Sequence, residues 1–257
     1  MLLIHGVGGD SRHWDAIGAR LAARFDVIAM DLRGHGRSDL ITGPIDIEHL
    51  AQDALQVLDE AGITTCAAAG MSLGGAVAQA LTLRDPARVD KLAVIATVCG
   101  RTPAERERAL ARIEFMKAHG TAGIAESNRE RWFTDEFRHA HPDIVEARVA
   151  QVKACDADSY LHAFTVFCTT DFVDRLQEIR VPTLVIAGEH DVAAPPRMAR
   201  LMAERIADCE VHVLPHLRHS LLIEAPDRVG DLLEHFLVYG TRPAGPLART
   251  ACPSNAR

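Results

Sequence analysis

Ser72 stands in the run Gly70-Met71-Ser72-Leu73-Gly74-Gly75, between a short apolar stretch and a segment of small residues with helical spacing. A G-x-S-x-G sequence between a strand and a helix suits a sharp turn that lifts a serine hydroxyl clear of the backbone. Glycine at 70 and 74 removes side chains that would collide in such a turn. Read without chemistry, the run is a Gly-rich turn carrying a surface serine. A serine hydroxyl is a poor nucleophile at neutral pH, and it becomes useful only beside a base whose tautomer an acid holds in place.

Asp191 and His219 are the candidates for acid and base. Asp191 leaves an apolar run in Gly188-Glu189-His190-Asp191 and precedes Pro195-Pro196. Glu189 is the rival carboxylate; its place tight against the end of that run favours a structural or surface role. Of the 13 histidines, His219 is set apart by following an apolar run in Leu214-Pro215-His216-Leu217-Arg218-His219 and by leading into Leu221, Leu222 and Ile223. His216 and His219 have the spacing of an H-x-x-H metal pair, but no third ligand on a helix face accompanies them, and no metal is expected. Attack on a carbonyl also needs two backbone N–H groups for the oxyanion. Leu73 offers one, and Val7 in His5-Gly6-Val7-Gly8-Gly9 offers the other.

These residues need a scaffold that brings them to one place. Apolar runs at Met1 to Ile4, Val27 to Met30, Cys66 to Ala69, Leu92 to Ala96, Thr183 to Ala187 and Val211 to Leu214 read as buried parallel strands. Helical apolar spacing lies between them, as at Ile47, Leu50, Ala54, Leu55 and Leu58. Such alternation predicts an α/β fold with a mainly parallel, doubly wound sheet and helices on both faces. It lapses from about 101 to 178, where charged, helix-favouring sequence predicts a helical lid over the carboxyl ends of the strands. The expected division is therefore 1–100 and 179–240 for the core, 101–178 for the lid, and 241–257 for a flexible tail rich in Gly and Pro.

Bulk composition permits this and excludes other classes. The 257 residues are 48% hydrophobic and 25% charged, as in ordinary globular proteins. No apolar run is long enough to cross a bilayer and no signal-like segment is recognisable, so a cytoplasmic chain without membrane association is expected. A formal charge of -7 argues against nucleic-acid binding. Six scattered cysteines (Cys66, Cys99, Cys155, Cys168, Cys209, Cys252) suggest neither a disulfide framework nor a zinc site. The predicted partner is a small molecule, with a homodimer left open.

With these residues in place, the chain resembles the α/β-hydrolase superfamily, and within it the 3-oxoadipate enol-lactonases. The superfamily likeness rests on the His5-Gly6 turn, the loop Asp31-Leu32-Arg33-Gly34-His35-Gly36-Arg37-Ser38, Gly70 to Gly75, Gly188 to Asp191, and His219 with Glu224-Ala225-Pro226, in that order. It implies an acyl-enzyme hydrolase needing no cofactor, with Ser72 as nucleophile, His219 as base and Asp191 as orienting acid; the glycines and charged residues around His35 then serve a turn. The lactonase likeness rests on Arg131-Trp132-Phe133-Thr134, Asp156 to Tyr160 and Asp171 to Leu176. It implies that Arg131 meets a substrate carboxylate and Trp132 walls the pocket, although an amphipathic lid helix would place such residues anyway. The resemblance also implies a strand pair before Met1; without it, the Val27 strand would lie on a sheet edge, and a longer natural reading frame is expected.

Rival readings stay in view. Gly6-x-Gly8 after a strand, with Asp31 ending the next, imitates a dinucleotide-binding fingerprint, but Ser11 occupies the third glycine position. A ligand-binding protein on the same fold would use the pocket without turnover. Among enzymes, a general carboxylesterase, a C–C bond hydrolase or a cofactor-free haloperoxidase could be built on the same scaffold.

Overall fold

The computed structural model describes residues 1–241. Strands β1 (Leu2–Ile4), β2 (Ile28–Met30), β3 (Cys66–Met71), β4 (Val89–Ile95), β5 (Thr183–Gly188) and β6 (Cys209–Leu214) form one sheet in the order β2-β1-β3-β4-β5-β6. Every neighbouring pair is parallel. Alternation along the strands separates two apolar cores. Leu2, Ile4, Leu92 and Val94 face one core, whereas Leu3, Ala93 and Ile95 face the other.

Helices α1 (Asp15–Leu21), α2 (Ile47–Glu60) and α3 (Leu73–Arg84) precede β4. Helices α4 (Pro103–Trp132), α5 (Asp135–Ala140), α6 (Pro142–Lys153) and α7 (Ala157–Thr169) lie between β4 and β5, and α8 (Pro196–Arg205), α9 (Leu221–Glu224) and α10 (Pro226–Tyr239) follow. The first core takes α2, α3 and α8; the second takes α1 and α10, so helices cover both faces. Helix α3 is buried nearly all round, as its run of Gly, Ala, Val and Leu requires.

The expected strands all form, with one correction. The outermost strands are not fully buried: β2 leaves Ala29 exposed, and β6 is half-buried along most of its length. Both are sheet edges and have a neighbour on one side only.

Residues 101–178 contain no strand. Helix α4 opens with a capping box, in which Thr102 and Glu105 satisfy each other's backbone N–H, and with Pro103 in its first turn. At Gly120 (φ 63°, ψ -169°) it breaks into two limbs; side chains are excluded from that backbone region. Apolar residues of these helices, such as Ile113, Ile124, Val149 and Phe164, join the first core. No helix among the described residues is long and apolar enough to cross a membrane. The tail expected to be mobile lies, Thr241 apart, outside the described residues.

Parallel register decides where the chemistry gathers. Gly70 lies beside Ile4 and Val94, and Gly188 lies beside Leu214. The segments leaving β1, β3, β5 and β6 therefore emerge at one end of the sheet, carrying Gly6 to Gly9, Ser72, Asp191 and His219.

Candidate active site

Ser72 occupies the single residue between β3 and α3 and has φ 56° and ψ -117°. A β-carbon there is strained, and the surroundings hold it in place. Its N–H donates to the Ile95 carbonyl at 2.8 Å, and the Thr97 hydroxyl donates to the Ser72 carbonyl at 3.0 Å. The flanking glycines are dictated by space. A β-carbon on Gly70 would lie 2.0 Å from the Gly74 carbonyl oxygen, and one on Gly74 would lie 2.2 Å from that of Ile4.

The structure brings Ser72, His219 and Asp191 into one chain of hydrogen bonds. His219 Nε2 is 3.2 Å from Ser72 Oγ, and its Nδ1 is 2.7 Å from Asp191 Oδ2. All three are buried, with Asp191 at 3% exposure. The other Asp191 oxygen accepts the N–H groups of Ala193 at 2.7 Å and Ala194 at 3.0 Å. A carboxylate tied to two backbone amides is fixed as an acceptor facing Nδ1, which leaves Nε2 as the ring atom able to take a proton from Ser72.

The Gly6 to Gly9 turn abuts this chain; a β-carbon on Gly6 would meet Ser72 Cβ at 3.1 Å. Two neutral histidines brace it. His5 Nδ1 donates to the Gly6 carbonyl at 2.8 Å while its Nε2 accepts from Leu32 N–H at 3.0 Å. His35 Nε2 accepts from Gly8 N–H at 2.9 Å, so its Nδ1 is the donor to the Arg33 carbonyl. Burial pushes the pKa of both rings down, to about 3 for His5, which keeps these tautomers neutral. His35 is thus a strut of the turn. Val7 lines the cavity above Ser72. Leu73 opens α3, so its N–H has no acceptor within the helix, although its side chain is wholly buried.

Above these groups lies a cavity of about 800 Å³ whose walls include Val7, Ser72, His219, Arg131, Trp132 and Phe164. The end of α4 is fastened to the histidine loop: Ser220 N–H donates to the Trp132 carbonyl at 3.0 Å, and the Arg218 guanidinium donates to the Glu130 carbonyl. Thr134 adds a bond to Glu224 through its hydroxyl at 2.7 Å. Arg131 is half-buried, and among the described residues its guanidinium meets no hydrogen-bond acceptor. Trp132 is buried beneath Arg148, whose guanidinium carbon lies 4.7 Å from the ring centre.

Sequence reasoning missed three residues of this wall. Arg148 donates to the Gly8 and Val7 carbonyls; Arg112 faces the cavity from the first limb of α4; Tyr160 packs its ring against Gly8. Helices were expected over the site, but apolar spacing does not say which of their side chains turn inward, and α4, α6 and α7 supply Arg112, Arg148 and Tyr160.

The competing assignments are also resolved in space. His216 and His219 do not form a pair, because His216 (φ 62°) turns out to solvent near Glu189 and His190. Glu189 accepts His216 N–H at 2.9 Å and remains outside the cavity. Asp31 is occupied by the N–H groups of Ser11 at 2.7 Å and Arg37 at 3.0 Å, so it ties two loops together where the dinucleotide reading wanted a ribose partner.

Comparison with known proteins shows what the chain as a whole is similar to. 3-Oxoadipate enol-lactonase 2 of Acinetobacter baylyi is 28% identical over 234 residues, which cover 91% of this chain and 86% of that protein. The crystal structure of the enol-lactonase from Burkholderia xenovorans LB400 superposes with a TM-score of 0.86 at 29% identity, covering 92% of this chain and 90% of the other. A thermophilic esterase from Thermogutta terrifontis gives a TM-score of 0.84 at 28% identity, over 92% and 88% of the two chains. The profile of the family described as serine aminopeptidase, S33, matches residues 1–226. The chain belongs to this family of α/β-hydrolases.

Proposed function

We propose that the protein hydrolyses a small carboxylic ester or lactone through an acyl-enzyme on Ser72, with 3-oxoadipate enol-lactone as the favoured substrate. One observation carries the reading: the Asp191, His219 and Ser72 hydrogen-bond chain on the floor of a large cavity. The enol-lactonase relatives favour a lactone, and the esterase neighbour keeps the ester class broad.

In the proposed reaction, Ser72 Oγ attacks the carbonyl carbon as His219 Nε2 takes the hydroxyl proton. The developing imidazolium is stabilised by Asp191, and the oxyanion is received by the N–H groups of Leu73 and Val7. Collapse breaks the acyl C–O bond. For an enol-lactone the leaving enolate stays tethered to the acyl group, takes the proton that His219 Nε2 carries and becomes a ketone. His219, neutral again, removes a proton from water, whose oxygen attacks the ester carbon; the acyl C–O bond breaks and His219 returns the proton to Ser72 Oγ. No metal or organic cofactor enters these steps. Arg131 is the partner assigned to a carboxylate on the substrate, with Trp132 as a wall of its pocket.

Ultraviolet loss of 3-oxoadipate enol-lactone, followed beside a panel of neutral nitrophenyl esters, tests the proposal. The expected result is a higher kcat/KM for the lactone. Turnover of neutral esters alone would make the protein a general carboxylesterase, and turnover of none would remove the hydrolytic reading.

A further inference from the structure

The cavity wall carries more positive charge than the proposed chemistry uses. Arg108 and Arg112 stand four residues apart on the first limb of α4, and both line the cavity together with Arg131 from the end of the second limb. Residues at that spacing share a helix face, where like charges repel. Arg112 is half-buried, and its donors reach only neutral partners, Ser127 Oγ at 3.0 Å and Asn128 Oδ1 at 2.7 Å. Arg131 has no hydrogen-bond or ion-pair partner among the described residues, and the carboxylate whose charge reaches it, Asp191, is bonded to His219. Burial pushes the pKa of both guanidiniums down, and each also feels a neighbouring arginine.

The lining as a whole has five arginines (Arg101, Arg108, Arg112, Arg131, Arg148) and two carboxylates, within a chain of formal charge -7. Both carboxylates are committed elsewhere, Glu105 to Arg197 and Asp191 to His219. Half-buried cations without an internal anion cost stability, and a bound anion offsets that cost.

Resting on the hydrolase reading above but departing from the enol-lactone, which carries one free carboxylate, we infer that the cavity takes an ester or lactone bearing two carboxylates, one held by Arg131 and the second by Arg112 with Arg108 at the mouth. A single carboxylate would neutralise one of the two half-buried guanidiniums; two match both. A cavity of about 800 Å³ is ample for such a molecule.

Mono-4-nitrophenyl esters of glutarate, with one free carboxylate, and of tricarballylate, with two, separate the possibilities. At low ionic strength the wild-type kcat/KM should be at least about tenfold higher for the tricarballylate ester, the scale of one charge-assisted contact. In Arg112→Gln that ratio should fall close to one. No preference in the wild-type protein, or an unchanged ratio in the variant, would overturn the inference. If Arg112→Gln does not fold, inhibition of the wild-type chain decides: glutarate, with two carboxylates, should inhibit at concentrations at least about tenfold lower than butyrate, with one, and equal inhibition would overturn it. Fluorophosphonate labelling of Ser72 keeps the two failures apart. A labelled protein without the preference loses only the second anion site, and an unlabelled one loses the hydrolase reading as well.

Discussion

Arg148 stacks over the Trp132 ring, with 4.7 Å between the guanidinium carbon and the ring centre, and donates to the Gly8 carbonyl at 2.5 Å and the Val7 carbonyl at 3.1 Å. One buried side chain on α6 therefore joins the end of α4 to the turn beside Ser72. Burial lowers its pKa only to about 10, so it stays charged at neutral pH. The helices over the site are in this way coupled to the backbone proposed to receive the oxyanion.

Arg148→Met keeps the stem and removes the donors. We expect kcat to fall by about tenfold or more, the scale of a lost charge-assisted hydrogen bond, with a smaller change in KM. Steady-state kinetics at matched folded fraction check this; an unchanged kcat would mean that the turn holds its shape unaided.

Asp191→Asn preserves volume but lets the imidazole adopt the wrong tautomer. The expected loss in kcat is on the order of 10³ to 10⁴, whereas Glu189→Gln should stay within about threefold. Comparable losses in the two variants would contradict the assignment of the acid.

Arg131→Ala should raise KM for an acidic lactone by about tenfold and affect a neutral ester far less, because only the former has a carboxylate to lose. Parallel kinetics with both substrates give the answer. Equal losses would leave Arg131 without a role in recognition.

Acid should destabilise the fold before most carboxylates titrate. Burial, then the neighbouring His35, lowers the pKa of His5 to about 3; burial, then Arg148, lowers that of His13 to about 4. The unfolded chain titrates both near the ordinary histidine value of about 6.5, so below that pH it binds protons the folded state refuses. The stabilisation is complete above about pH 6.5 and is lost as pH falls toward the folded values; His5 alone accounts for about 2 kcal/mol by pH 5. Thermal melts from pH 7 to pH 5 should show a falling Tm, and a flat profile would contradict it.

Gly74→Ala places a methyl group 2.2 Å from the Ile4 carbonyl oxygen and 2.6 Å from that of His5, both rigid backbone. Helix α3 must then withdraw from β1. A cost of about 1–3 kcal/mol is expected, with loss of activity as Ser72 moves. Urea unfolding beside an ester assay measures both, and wild-type behaviour would show that α3 is less tightly seated.

The strands and the Ser72 turn were legible because each is written in consecutive residues: apolar runs for the strands, and small residues on both sides of Ser72. His219 and Asp191 were legible through their places after such runs. Arg148 was not, because its value lies in contacts about 140 positions away in the chain, with Gly8 and Val7. Arg112 and Tyr160 escaped for the same reason, since which side chains of α4 and α7 face the cavity is set by tertiary packing. The exposure of β2 and β6 depends on sheet order, which apolar runs alone do not encode.

The central claim is that an otherwise inert alcohol becomes a nucleophile at one serine. Mass spectrometry of the intact protein after a fluorophosphonate, with peptide mapping, tests it most directly. The account predicts one adduct per chain, on Ser72, formed rapidly by the wild-type protein and absent from Ser72→Ala. No adduct, or an adduct that persists in Ser72→Ala, would contradict it.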